Sequence, residues 1–389
     1  MELPPGEAVA GPYVALTRPL RLTMVISSLT MGGAERVMTE LANHWAAKDW
    51  TITIIHFSPP GTPAAFPLDP RVAEVQLGLH RVSPTPFHAV VNNVRRIRVL
   101  RRAISETKPE IVLSFMANAV TLMATTGLGL PVIVSEHRGP RGELNRAWSV
   151  IREVTYRRAA FVVMLTPSAL AHLSPALRRH GRVVPNALPS PFLARAKAMS
   201  EAPGHGSSDV PIIMALGRLG QEKGFDLLME AFARLVDDWP TARLVIWGEG
   251  DDRDELERIR ADLGLTDRVD FPGNTNAPEH EFLTATVFVL SSRKEGLPMV
   301  LIEAMAMGRA VVACDCEHGP RDIIHDGIDG LLIPTEDVAA LADAIGLLLG
   351  DEALRERLAG RAVEVRDRFT IEAVTAQWES LFREAMGES

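Results

Sequence analysis

Arg218, Lys223, Glu295 and Glu303 have types and spacings that suit the chemistry of anions and sugars. The two glutamates fall in SSRKEGLPMVLIEAMAMGRAVVACD, residues 291–315, where a strand runs into a loop and then into a helix whose first turn suits Pro298. That loop, with Gly296, Leu297, Pro298 and Met299, offers backbone N–H groups at a helix N-terminus, whose positive dipole end favours a phosphate. A carboxylate before the helix and another inside it can accept hydrogen bonds from sugar or ribose hydroxyls on either side of that phosphate. Glu303 stands in a run of Val, Leu, Ile, Ala and Met, where an acid needs a partner. Arg218 and Lys223 flank a glycine-bearing turn in ALGRLGQEKGFDLL, residues 215–228, after a strand and before a helix. Two cations in that position form a site for a diphosphate. The spacing is not GxxxxGK[ST], which excludes a P-loop ATPase. No GxGxxG follows the first strand either, only the adjacent Gly32 and Gly33 of MGGAE. His137, in VSEHRGP, ends a strand in the first half, where it is read either as a polar or acid/base group for the reacting sugar or as a structural histidine.

Strands and helices in alternation must position these residues. LTMVISSL is a short apolar run, MGGAERVMTELANHWAAK has helical periodicity, and WTITIIHF is a second strand, a start that indicates a parallel sheet with crossover helices. The pattern continues with a helix over 88–107, strands at 110–115 and 131–137, a helix near 144–158, and strands at 161–167 and 182–186. From Pro189 the composition changes to that of a linker ending in EAPGHGSSD, after which the alternation restarts at PIIMALGRL. The expected organisation is a disordered tail over 1–20, a first α/β domain over 21–190, a linker over 191–209, a second α/β domain over 210–370 and a C-terminal helix over 371–389 that packs back on the first domain. Two doubly wound Rossmann-like α/β domains in succession place a ligand at the carboxyl ends of their strands, in a cleft.

The chain has 389 residues, 23% charged and 47% hydrophobic, which excludes global disorder and is enough for two domains with their own cores. No apolar stretch reaches the length of about 18 residues that a spanning helix needs, and the N-terminus does not read as a signal peptide. Cys314 and Cys316 suit buried or half-buried free thiols in a reducing cytoplasm rather than a metal site. The net charge of −8 conceals a basic first half and an acidic second half, so the first half is expected to meet something anionic. In HAVVNNVRRIRVLRRAISETK, residues 88–108, Val90, Val94, Ile97 and Ile104 have the spacing of an inward face, while Arg95, Arg98 and Arg102 fall on another. That basic face is expected to contact a lipid-borne diphosphate or an anionic membrane surface. Nucleic acid does not fit an acidic chain without an aromatic and basic platform.

With these residues assembled, the chain from Arg21 onward resembles the retaining glycosyltransferases of family 4, which have the GT-B fold of two facing Rossmann-like domains. The resemblance rests on E-x7-E, Glu295 to Glu303, combined with the upstream Arg218 and Lys223. It implies that Arg218 and Lys223 bind the donor diphosphate, that Glu303 binds the ribose, and that Glu295 lies by the donor sugar. It further implies that the amides of Gly296 to Met299 meet sugar and phosphate, that His137 is the active-site histidine, and that Gly32 and Gly33 belong to a loop closing on the diphosphate. Asn186, in VVPNAL, resembles the family's interdomain Pro-Asn turn and is read as structural. No metal or other cofactor is implied, because the cations and helix ends neutralise the leaving nucleoside diphosphate. The donor is a nucleotide sugar, a UDP-sugar by family and subgroup. ACDCEHGPRDII is similar to the subgroup that extends bacterial undecaprenyl-diphosphate-linked or cell-surface glycans, which often has Ser-Gly-Pro where this chain has His318-Gly319-Pro320. The expectation is a monomeric, cytoplasmic, peripheral membrane enzyme that adds a hexose or N-acetylhexosamine to a lipid-linked glycan. A GT-B nucleotide-sugar epimerase and a catalytically silent nucleotide-sugar-binding subunit are the rival readings.

Overall fold

The computed structural model describes residues 16, 18–30, 32–79, 86–137, 146–200 and 210–388. The tail expected over 1–20 and the second part of the expected linker thus fall largely outside the described residues. The chain divides into two compact units, Met1–Ala187 with Ile371–Ser389, and Leu188–Thr370.

The first unit is built on the strands β1 (Arg21–Ile26), β2 (Thr51–His56), β3 (Ala73–Gln76), β4 (Ile111–Phe115), β5 (Val132–Ser135), β6 (Phe161–Met164) and β7 (Gly181–Val183). They lie in the order β3-β2-β1-β4-β5-β6-β7, every pair parallel. The second sheet contains β8 (Ile212–Leu216), β9 (Arg243–Trp247), β10 (Val269–Gly273), β11 (Val287–Leu290), β12 (Ala310–Cys314) and β13 (Leu331–Ile333), in the order β10-β9-β8-β11-β12-β13, again parallel throughout. This is the doubly wound α/β architecture that the alternating pattern predicts.

Helices cover both faces of each sheet, so central strands such as β4, β11 and β12 are near-continuous apolar runs rather than alternating ones. The side chains nevertheless sort by period two. In β1, Leu22, Met24 and Ile26 enter one core of the first unit and Val25 the other. In β11, Val287 and Val289 face one core of the second unit, Phe288 and Leu290 the other. Thr23 is buried in β1 because its hydroxyl has a partner, Thr107 Oγ1 at 2.7 Å.

The C-terminal helix Ile371–Met386 completes the first unit. Its buried Phe382 packs against Trp45 and Trp50, whose rings stack with centroids 5.5 Å apart, and its buried Trp378 packs against Phe115 and Phe382. Glu379, 1% exposed, is tolerated there because Trp45 Nε1, Lys48 Nζ and the Leu16 amide all donate to it. The start of the expected linker is instead a helix, Ser190–Ser200, which buries Phe192 and Ala196 against Phe282 in the second unit.

Candidate functional site

The strand order of the second sheet reverses between β8 and β11, which leave a crevice outside their carboxyl ends, and both loops with the candidate residues start there. After β8 come Gly217, Arg218, Leu219 and Gly220, a single 3-10 turn over Gln221–Lys223, and the helix Phe225–Ala233. Gly224 joins turn to helix at φ +62°, and a Cβ there would lie 2.2 Å from the Ser291 carbonyl oxygen, so glycine is required twice over. After β11 come Ser291 to Pro298 and the helix Met299–Ala306. Pro298 occupies the cap position just before that helix, not its first turn, and its carbonyl accepts from the Leu301 amide at 3.0 Å.

The structure brings Lys223 and Glu295 together. Lys223 Nζ donates to Glu295 Oε1 at 2.8 Å and Ser292 Oγ donates to the same oxygen at 2.6 Å. The Glu295 side chain is 8% exposed, so a buried carboxylate gains a charge and a hydroxyl in exchange for water. Arg218 lies on the same loop, exposed, with Nη2 2.5 Å from Glu222 Oε1. Glu303, one turn into its helix, is buried. Gly319 of the His318-Gly319-Pro320 loop sits against this site. A Cβ there would come within 2.4 Å of Pro298 Cδ and 2.9 Å of the Gly296 carbonyl oxygen. The two cations, the half-buried Gly296–Met299 segment and the buried Glu303 thus belong to one unit and to the ends of neighbouring strands.

Several contributors carry no signature readable in the sequence. Arg293 grips Asp226 through both Nη atoms, and burial, which would raise the Asp226 carboxyl, is outweighed by those bonds and that charge, so its pKa is lowered. Gly248, after β9, adopts φ +133°, and a Cβ on it would meet the Gly217 carbonyl oxygen at 1.9 Å, so the loop bearing Arg218 is packed tightly from behind. The strand-end position of WGEG was the one available hint of this.

In the first unit the order reverses between β1 and β4. Gly32 follows β1 and caps the helix Gly33–Ala47, its carbonyl accepting from the Arg36 amide at 3.1 Å. His137 follows β5, with Nε2 3.2 Å from Ser135 Oγ and its ring 4.2 Å from the Phe115 ring centroid. Burial alone pulls its pKa down to about 3, so the imidazole is neutral near pH 7. The preceding Glu136 is fixed by the Tyr156 hydroxyl and by Asn118 Nδ2.

The basic helix spans Pro86–Thr107. Arg95, Arg98 and Arg102 are exposed, and Arg102 Nε donates to Glu106 at 2.7 Å. Val94 corrects the expectation: it is 41% exposed, together with Val91 at 50%. The stripe that packs is Ile97, Leu100, Ala103 and Ile104. Arg96 and Arg101 are taken up by carbonyls, Arg96 by Leu79 and Arg101 by Ala124 and Thr126. Val150 and Val154, on the helix Arg146–Tyr156, are exposed as well. Cys314 and Cys316 are buried, and burial pushes both thiols up to about 12.

Comparison with known proteins gives two adjoining family matches: the model described as "Glycosyltransferase Family 4" over residues 31–189, and "Glycosyl transferases group 1" over residues 201–365. The chain is 28% identical over 377 residues, 94% of its length and 99% of the relative's, to a Campylobacter jejuni alpha-1,4-N-acetyl-D-galactosaminyltransferase named for GalNAc-alpha-(1->4)-GalNAc-alpha-(1->3)-diNAcBac-PP-undecaprenol. It is 30% identical over 294 residues, 73% of this chain and 78% of the relative, to the lipopolysaccharide core biosynthesis glycosyltransferase LpsD of Rhizobium meliloti. Among solved structures, Anabaena HepE in complex with UDP and glucose matches with a TM-score of 0.72 at 17% identity, over 92% of this chain and 98% of that one. Among the described residues no helix is long and apolar enough to cross a membrane.

Proposed function

The chain belongs to the group 1 and family 4 glycosyltransferases, and from that premise we propose that it transfers a hexose or N-acetylhexosamine from a UDP-sugar to a polyprenyl-diphosphate-linked glycan in bacterial polysaccharide or glycoconjugate assembly. The observation that carries the reading is the pairing of Lys223 with Glu295, beside Arg218, at the switch point between β8 and β11. We assign Arg218, Lys223 and the amides of Gly296, Leu297 and Met299 to the donor diphosphate, with Gly32 and Gly33 as the loop that closes on it. Glu303 takes the ribose, and Glu295 and His137 serve the reacting sugar.

In the proposed step the bond from the anomeric carbon to the diphosphate oxygen breaks and a bond from the same face to the acceptor hydroxyl oxygen forms, with retention. The acceptor proton passes to the departing phosphate oxygen, and the two cations and the amides stabilise the charge that accumulates on the leaving group. A neutral His137 is suited to hydrogen bonding with sugar hydroxyls, not to ion pairing. The relative named for a PP-undecaprenol glycan and the UDP complex of HepE support the choice of acceptor and base.

The acceptor proposal includes a peripheral membrane face. The exposed Val91 and Val94 beside Arg95 and Arg98, with Val150 and Val154 on a second helix, combine apolar contact with attraction for anionic headgroups or a lipid diphosphate. The test is incubation with UDP-[14C]sugars and an undecaprenyl-diphosphate oligosaccharide, with the product's anomeric configuration read by NMR. A lipid-linked product lengthened by one α-linked sugar from an α-linked donor is expected. Release of free sugar without an acceptor would favour the epimerase reading, and no turnover with nucleotide bound would favour the silent subunit. Charge reversal at Arg95, Arg98 and Arg102 should abolish flotation with phosphatidylglycerol vesicles, and unchanged flotation would remove the membrane face from the account.

A further inference from the structure

We propose that Arg293 is a positioning residue of the donor site, its guanidinium latching the turn that carries Lys223 to the loop that carries Glu295. The inference rests on the donor-site assignment of those two loops. They leave neighbouring strands but share no ladder of their own past the strand ends, so something else must set the spacing between Lys223 and Glu295. The structure shows a row of connections. The Arg293 amide donates to the Glu222 carbonyl at 2.8 Å, the Lys294 amide shares that acceptor at 3.3 Å, and Ser291 Oγ donates to the Lys223 carbonyl at 2.9 Å.

The Arg293 side chain closes this row from one end. Nη1 donates to the Gln221 carbonyl at 2.9 Å and to Asp226 Oδ1 at 2.8 Å, Nη2 to Asp226 Oδ2 at 2.7 Å, and Nε to Glu336 Oε1 at 3.1 Å. One planar fork therefore holds the 3-10 turn, the first turn of the helix that follows it, and the segment after β13. The side chain is 25% exposed and four of its five N–H groups donate to these acceptors. By type and place, an arginine two residues before Glu295 would be read as a third ligand of the diphosphate. Its geometry assigns it instead to the scaffold behind the two residues that carry that role. Lysine cannot reproduce the bidentate grip on Asp226 together with the bond to Gln221.

The experiment compares UDP binding by calorimetry and hydrogen exchange by mass spectrometry for wild type, Arg293→Lys, Arg293→Ala, Asp226→Asn and the double variant Arg293→Ala/Asp226→Asn. The latch predicts that Arg293→Ala and Asp226→Asn each weaken UDP by about tenfold or more, and that the double variant is no weaker than the worse single one. Arg293→Lys should retain part of the affinity. In parallel, the donor KM should rise while the acceptor KM stays put, which general destabilisation would not produce. Without nucleotide, peptides over 217–226 and 291–298 should exchange faster together in Arg293→Ala. If Asp226→Asn binds UDP like wild type while Arg293→Ala does not, Arg293 touches the phosphate itself and the latch is wrong. If neither peptide changes its exchange, the latch is likewise wrong. Failure of wild type to bind any nucleotide would remove the donor-site reading, while the exchange result would still judge the latch.

Discussion

Substitution of Lys223 by methionine should destabilise the second unit and do so through Glu295. The two charges are 2.8 Å apart, with side chains 20% and 8% exposed. Their gross attraction at an effective dielectric constant of about 20 is about 6 kcal/mol, most of which is offset by the cost of taking both ions out of water. What remains is an asymmetry: removal of one partner strands the other. For a fully buried pair that costs about 3–5 kcal/mol. Here Ser292 Oγ still donates to Glu295, and the pair keeps some access to water, so Lys223→Met should cost about 2–3 kcal/mol. Glu295→Gln leaves an amine that can turn to solvent and should cost about 1 kcal/mol. The double variant should then cost less than the sum by about 1.5 kcal/mol or more. Native-state hydrogen exchange of amides in β8 and β11 reads the stability of this unit separately from the other. Additivity of the two singles within about 0.5 kcal/mol would show that the pair does not form in solution.

Three further outcomes follow from the geometry. His137 titrates in the unfolded chain near pH 6.5 but at about 3 when folded, so between those values the unfolded state binds more protons and stability falls as the pH is lowered. His137→Gln should flatten that dependence by up to about 1.4 kcal/mol per pH unit, measured by urea denaturation from pH 7 to pH 4, and an unchanged slope would mean that the ring is not buried neutral. Cys314 and Cys316, both pushed to about 12, should resist iodoacetamide at pH 8 in the native protein and react fully in guanidinium, as mass spectrometry would show. Transfer should survive exhaustive treatment with EDTA, because in the proposed step cationic side chains neutralise the leaving diphosphate. Loss of activity that Mg²⁺ or Mn²⁺ restores would overturn that part of the mechanism.

The fold was legible because strands buried on both faces are near-continuous apolar runs, and β1, β2, β4, β8, β11 and β12 stand out as such between glycines and prolines. β3 was not read: AEVQ is an exposed edge strand with the composition of a loop. The Ser190–Ser200 helix was read as part of a linker because what orders it is tertiary, the contact of Phe192 with Phe282, 90 residues along the chain. Val94 has the spacing of a core residue, but spacing alone does not show which residues of that face the rest of the unit covers, and Val94 is left exposed. In the second unit, a buried acid in an apolar run and two cations around a turn were visible one loop at a time. Their pairings were not. Lys223 meets Glu295 across 72 positions and Arg293 meets Asp226 across 67, distances over which only the switch-point topology brings side chains together. The Arg218–Glu222 pair, although only four residues apart, was no more legible, because it bridges a loop and a 3-10 turn rather than two turns of an α-helix.

The most direct test of the central claim is nucleotide binding without metal. Thermal shift and calorimetry with UDP, GDP, ADP and their sugars should be run on wild type, Arg218→Ala and Glu303→Ala. A ligand that binds only the folded state must raise its melting temperature. The account predicts a shift with UDP and UDP-sugars that both substitutions remove, while their unliganded melting stays close to wild type for Arg218→Ala, whose side chain is exposed. No shift with any nucleotide, or a UDP shift that survives both substitutions, would contradict the donor site described for the second unit.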